Sequence, residues 1–320
     1  MEKALHEYEM RQVYAQTLIE LAKENRDVLV LEADLSKASG TNPPFAGACP
    51  EQFVNCGVAE ADMIGIAAGL AVEGKIPFCA SFTPFASRRV YDQVTISVAY
   101  ADVNVKIIGT APGITTGANG GTHMCFQDLA IMRAMPNMTV LSPCDTYELR
   151  ECLRWSARHV GPVYMQMIRM RQPQVFGEDY RFDPARAVRI REGGDVTLVS
   201  TGYMPPFAVQ AADALAGEGI GVDLLHYPSV KPFDAETLAA SAKKTGGVVT
   251  VENQSILGGL GGAVCEVLSE HQPTPVKRLG IPDKFGEIAS EAYLFEKHGF
   301  GVEHMKQACH GFAARTAATN

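Results

Sequence analysis

The sequence predicts an α/β protein: a mostly parallel sheet flanked by helices, followed by a second, smaller α/β unit. Three observations carry this reading. Apolar, β-rich runs alternate with segments of helical period in the first half, and a shorter stretch repeats that alternation in the second. Between them lies a segment rich in Pro, Gly and charge with neither period.

The opening MEKALHEYEMRQVYAQTL reads as an amphipathic helix, not as a basic-then-apolar leader. RDVLVLEAD reads as a strand, AEADMIGIAAGLAVEG as a helix, PFCASF as a strand, and YDQVTISVAYAD as a helix. NVKIIGT then gives a strand, FQDLAIMRAM a helix, and MTVLSP a strand. The stretch QPQVFGEDYRFDPARAVRIREGG is expected to link two domains, 1–185 and 186–320. Beyond it, DVTLVSTG, VDLLHY, GVVTVEN and VKRLGI are expected strands, with helices at FAVQAADALAGEG and AETLAASAKKT. The glycines of ILGGLGGAV follow a strand and open a helix, but they lack a Walker lysine and the acid of a dinucleotide loop. Close helix packing accounts for them better.

With 320 residues, 47% hydrophobic and 20% charged, the chain can build two cores and has no signature of disorder. A formal net charge of -8 without a basic run disfavours nucleic-acid binding and points to small-molecule or protein partners. No apolar stretch approaches the roughly 20 residues of a spanning helix, so no membrane role and a cytoplasmic location are expected. The eight cysteines contain no CxxC pair and read as small buried hydrophobes.

Chemistry concentrates in FVNCGVAEADMIGIAAGLAVEGKIPFCASFTPFASRRVYDQV and GTAPGITTGANGGTHMCFQDLAIMRAMPN. Glu60 opens a helix of small residues among Val58, Ala59, Ala61 and Met63, an apolar setting that favours a protonated carboxyl. Taken alone, it equally suits the helix dipole. Phe82 and Phe85 are three apart after an apolar strand, with Pro84 turning the chain; alone, they read as core aromatics. His123 stands in a glycine-rich loop of the kind that approaches ligands closely. Arg89 has Asp92 three residues on, a spacing suited to a helical ion pair.

Together, GVAEADMIGIAAGLA, FTPF, RRVYDQV, GTH and DLAIMRAMPN resemble the pyrimidine-binding domain of transketolases. KPFDAETL, VVTVEN and LGGLGGAVCEVL resemble their C-terminal domain, so the similarity covers nearly the whole chain. The resemblance implies thiamine diphosphate as cofactor. Glu60 matches the acid that hydrogen-bonds the pyrimidine nitrogen, so that the cofactor's own amino group can take the thiazolium C2 proton. Phe82 and Phe85 match the aromatic wall of that ring, and Asp34 matches an acid near the cofactor and the subunit boundary. His123 matches a histidine contacting substrate oxygens. Arg11 and Arg169 match arginines that hold the terminal phosphate of sugar phosphates, with Arg88 and Arg171 adding charge nearby.

The family pattern also holds the diphosphate through Mg²⁺ with a GDG sequence and a later Asn pair, and no GDG occurs here. No metal ligand is therefore assigned to this chain. The resemblance implies a split enzyme whose N-terminal partner subunit carries the diphosphate and Mg²⁺, two copies of each chain forming a heterotetramer. The sequence departs from the family at Asn119, where an Asp reading a substrate hydroxyl is usual, at Gly121 in place of a Pro, and at Ala111 in place of a phosphate-contacting His. These departures point to an uncommon anionic sugar as substrate. The implied reaction is two-carbon ketol transfer from a ketose to an aldose. The alternatives are the beta subunit of a 2-oxoacid dehydrogenase first component, a 1-deoxyxylulose-phosphate synthase fragment, and a non-catalytic scaffold.

Overall fold

The computed structural model describes residues 4–319, with side chains to residue 314. In the first half, strands β1 (Val28–Glu32), β2 (Phe53–Asn55), β3 (Ile76–Phe82), β4 (Lys106–Thr110), β5 (Thr139–Leu141) and β6 (Val163–Met167) alternate with helices. The second half contributes β7 (Val188–Arg191), β8 (Val196–Ser200), β9 (Val222–His226), β10 (Ser229–Lys231), β11 (Val248–Ser255) and β12 (Val276–Ile281). They form a seven-stranded sheet in the order β10-β5-β6-β4-β3-β1-β2 and a five-stranded sheet in the order β12-β11-β8-β9-β7. All pairings are parallel except β10 with β5 and β7 with β9. The predicted α/β class, a mostly parallel sheet followed by a smaller α/β unit, is the one observed.

The apolar runs produce this because a parallel strand is buried on both faces. Along β3, Phe78 and Ala80 join one core cluster while Cys79 joins the other, and on β4 Ile108 and Ile107 divide in the same way. Helix Glu60–Val72 covers the second face with Met63, Ile64 and Ala67, and helix Met10–Glu24 covers the first with Tyr14 and Leu18. All eight cysteines are free thiols, six of them buried and Cys56 and Cys265 half-buried. No helix among the described residues is long and apolar enough to cross a membrane.

The structure differs from the sequence reading in several places. The opening helix begins only at Met10, after a short turn at Leu5–Glu7, where the Gln12 side chain accepts from the Glu9 amide. The segment expected to be a featureless linker contains β7, whose partly exposed residues pair antiparallel with β9 at the edge of the second sheet. The expected helix at Tyr91–Asp102 is a short turn, Tyr91–Gln93, widening into a π-helical segment, Val94–Tyr100. Strand β10 crosses back from the second half to extend the first sheet, so the two units are interlocked.

The glycine-rich stretch before helix Leu260–His271 holds the protein's own carboxylate. Glu252 accepts from the amides of Leu260 (2.8 Å) and Gly261 (2.8 Å), and a Cβ at Gly259 would lie 2.1 Å from its Oε2. An internal acid fills the seat that a phosphate would take.

Candidate active site

A parallel sheet gathers its loops at the carboxyl ends of its strands, and the chemistry-bearing residues follow that geometry. Asp34 comes just after β1, Asn55 ends β2, Phe82 ends β3, Ala111 follows β4, and Arg169 lies two residues beyond β6. Helix Met10–Glu24 is tied to the same edge, because the Arg11 amide donates to the Arg169 carbonyl at 3.2 Å.

Glu60 is the first residue of its helix and is only 4% exposed. The expectation of an apolar neighbourhood needs correcting, because the Arg89 Nη1 lies 2.8 Å from Glu60 Oε2. The expected Arg89–Asp92 pair is not formed: the chain from Ser87 to Val90 is a tight 3-10 turn that directs Arg89 back toward the helix of Glu60. The same guanidinium lies over the Phe85 ring, with its carbon 3.8 Å from the centroid.

Pro84 breaks β3 into the helical turn Thr83–Ala86, which sets Phe82 and Phe85 side by side with centroids 6.1 Å apart. Thr83 Oγ1 donates to the Thr110 carbonyl (2.9 Å), fastening the turn to the end of β4. His123 meets both rings edge-on, at 5.9 Å from Phe82 and 5.5 Å from Phe85, and its Nδ1 shares a 2.9 Å hydrogen bond with Thr122 Oγ1. Arg88 donates to the Thr122 carbonyl at 3.2 Å, bracing that loop.

On the other side of this cluster, the Arg169 guanidinium lies 4.8 Å from the Phe82 centroid. Burial and the neighbouring Arg11 cation both push its pKa down, and among the described residues its buried Nε has no partner. Arg11 pairs with Glu9 at 2.6 Å, and Arg171 donates to the Glu7 carbonyl. The site thus runs from a buried acid, across an aromatic wall and an imidazole, to two arginines, one of them without a carboxylate among the described residues.

Among the described residues, Asp34 and Asn119 share no hydrogen bond, ion pair or ring contact with these side chains. Asp34 is exposed, with a left-handed φ of 59°, and is held by Asn55, whose Nδ2 donates to Asp34 Oδ1 (3.2 Å) and whose Oδ1 accepts from the Asp34 amide (3.1 Å). Asn119 is exposed and, among the described residues, unpaired, at the end of the turn Gly113–Asn119. Ala111 is buried with φ 54°, and its amide donates to the Met167 carbonyl (2.8 Å). The loop carrying these positions is clamped by the second unit, where Asn253 accepts from the Ile114 amide (3.0 Å) and donates to the Pro112 carbonyl (3.1 Å).

Arg89 as the partner of Glu60 and Asn253 as the clamp were not anticipated. The doublet Arg88-Arg89 lies about one turn beyond Phe85, which is a usable signal for the stacking; nothing local signals Asn253, 139 residues from its Ile114 partner.

Comparison with known proteins matches residues 6–173 to the family model described as "Transketolase, pyrimidine binding domain" and residues 185–305 to "Transketolase, C-terminal domain". The chain is 47% identical over 314 residues to a 6-deoxy-6-sulfo-D-fructose transketolase subunit of Clostridium sp. strain MSTE9, covering 98% of this chain and 97% of that one. It is 36% identical to an apulose-4-phosphate transketolase subunit of Phocaeicola vulgatus, covering 92% and 94%. Among solved structures, that of a split gene transketolase, an inactive beta4 tetramer, aligns with a TM-score of 0.87 and 41% identity over 96% of this chain and 98% of that chain.

Proposed function

This chain belongs to the transketolase family, and on that premise we propose that it is the C-terminal subunit of a split enzyme and transfers a two-carbon ketol unit from an anionic ketose to an aldose. The observation that carries the proposal is the joining of buried Glu60, the Phe82 and Phe85 wall, His123 and the arginine pair in one continuous site.

The residues fit an aminopyrimidine. A planar group, the Arg89 guanidinium, already lies where the ring would, with a nitrogen against the Glu60 carboxyl and a face against Phe85; the guanidinium donates to that carboxyl, whereas a pyrimidine nitrogen would accept from it in the protonated form. When bound in this seat, thiamine diphosphate would supply the nucleophilic carbon that the ketol-transfer chemistry needs. The protein's own residues do the rest. Glu60 holds the proton at the pyrimidine nitrogen and Phe82 and Phe85 orient the ring, while His123 donates to or accepts from the substrate oxygens near the bond that breaks. Arg11 and Arg169 grip the far anionic end of the sugar; the unpartnered Nε of Arg169 is an available donor for that group.

Three features support completion by a diphosphate- and Mg²⁺-holding partner subunit within a heterotetramer. Two relatives are transketolase subunits, and Asp34 lies exposed at the carboxyl edge of the sheet. Val58 (78%), two residues before Glu60, Val72 (70%), at the far end of its helix, and Ile96 (58%) and Tyr100 (84%), on the π-helical segment, present apolar side chains to solvent. The relatives' sulfonated and phosphorylated sugars support a sulfonate or phosphate ester as the anionic end, with Ala111 altering how that end is contacted and Asn119 how a substrate hydroxyl is read. The test is reconstitution: this chain with a GDG-bearing partner, thiamine diphosphate and Mg²⁺ should transfer ketol units, and each chain alone should not. Turnover by this chain alone, or none by the complex with any anionic ketose, overturns the proposal.

A further inference from the structure

We propose that Arg89 is an internal competitor of the aminopyrimidine ring: its guanidinium occupies the seat between Glu60 and Phe85, and cofactor loading requires it to swing out toward Asp92. The inference rests on the cofactor seat proposed above and concerns what must leave it.

The guanidinium and the pyrimidine ring use the same two groups of the protein. Each sets a nitrogen-bearing edge against the Glu60 carboxyl and a planar face against the aromatic ring; the guanidinium donates to the ionised acid, whereas the pyrimidine nitrogen accepts from the protonated one. Arg89 has both, at 2.8 Å from Glu60 Oε2 and 3.8 Å above the Phe85 centroid, so two such groups cannot hold this seat together.

The burial pattern makes Arg89 the movable member. Glu60 is 4% exposed whereas the Arg89 side chain is 46% exposed, so the arginine covers the acid and has an open route to solvent. Asp92 is exposed and, among the described residues, unpaired; it lies three residues further along and can receive the released cation. The contacts are also of the right size. A half-exposed ion pair and a single cation–π contact are each modest, so displacement weakens cofactor binding without preventing it. Until the ring arrives, the pair spares the protein a buried carboxylate with no counter-charge.

The experiment is calorimetric titration of thiamine diphosphate with Mg²⁺ into the assembled two-chain complex, comparing the wild type with Arg89→Met and Arg89→Lys. Met keeps the aliphatic stem and removes the competing charge and donors, so the Kd should fall about tenfold. Lys keeps the charge but loses the plane and should fall between. Since Arg89→Met leaves Glu60 without its cation, thermal unfolding of the chain is measured in a double-mutant cycle with Glu60→Gln; Arg89→Met should destabilise the chain more when Glu60 is intact than in the Glu60→Gln background. A Kd in Arg89→Met that is unchanged or higher overturns the competitor assignment while leaving the proposed seat intact. Absence of binding heat in every complex, the wild type included, overturns the seat itself and the competitor with it.

Discussion

Arg169 lies over Phe82, its guanidinium carbon 4.8 Å from the ring centroid, while its buried Nε finds no partner among the described residues. A cation left with an open donor beside a second arginine is arranged to receive an anion. Arg169→Ala should raise KM for sulfonated or phosphorylated ketoses by roughly ten- to a hundredfold, the range of a lost charge-assisted hydrogen bond. It should change kcat less and neutral sugars little. Steady-state kinetics on a matched pair of anionic and neutral ketoses checks this. Equal losses on both would reassign Arg169 to holding the Phe82 ring in place.

Glu60 makes one contact that folding uses and one that chemistry needs. Its ion pair with Arg89 is half exposed on the arginine side, so Glu60→Ala should cost no more than about 1 kcal/mol of stability. The same change removes the acid facing the pyrimidine and should slow C2 proton exchange on bound cofactor by about 10²–10⁴-fold in the reconstituted complex. NMR-detected deuterium exchange reads that rate directly, with native mass measurement confirming assembly. Exchange at the wild-type rate removes Glu60 from its role.

How much of this was legible in the sequence depends on how local each determinant is. Glu60 opening a small-residue helix and Phe82-x-x-Phe85 closing a strand are set by residues within one turn of each other, and both appear where the pattern puts them. The pairing of Arg89 was misread because spacing along the chain favours Asp92, whereas the fold brings in Glu60 from 29 residues away. Strand β10 is three residues long, too short to carry an alternation, and is defined only by its pairing with β5. Strand β7 is masked for another reason: as a half-exposed edge strand it alternates charge with apolar residues and resembles a linker.

The two units are joined by a fully buried pair that contains no catalytic group. Glu148, on helix Thr146–Arg158, meets His226 Nε2 at the end of β9 at 2.8 Å, and both are 0% exposed. Burial pushes the Glu148 carboxyl up, but the His226 charge, its hydrogen bond and those from Tyr180 and the Cys144 amide outweigh it and hold the pKa below the ordinary value. Glu148→Ala strips His226 and Tyr180 of their partner and should cost about 3–5 kcal/mol in denaturant unfolding. A depressed carboxyl contributes stability above its unfolded pKa and loses it as pH falls through the folded one, so the difference between wild type and variant should shrink on acidification.

Two other acids give the opposite slope. Burial pushes both Glu32 and Glu252 from 4.5 to about 7, against the opposing hydrogen bonds from Ser39 and Thr41 to the first and from the Gly261 and Leu260 amides to the second. Between these limits the unfolded carboxyl is ionised while the folded one keeps its proton, so the native state binds more protons and stability falls as pH rises. Each group contributes a slope of up to about 1.4 kcal/mol per pH unit within that window and none once both states are ionised. The melting temperature of the isolated chain should therefore fall as pH rises from 4.5 toward 7. Glu32 is the better one to test, since its Oε1 takes both hydroxyl hydrogen bonds and its buried Oε2 has no partner. Glu32→Gln keeps an acceptor for Ser39 and Thr41, cannot ionise, and should raise the melting temperature at about pH 8 while flattening the curve below about 7. A curve of unchanged slope in this variant would mean that Glu32 is charged in the native state, its cost met by the two hydroxyls alone.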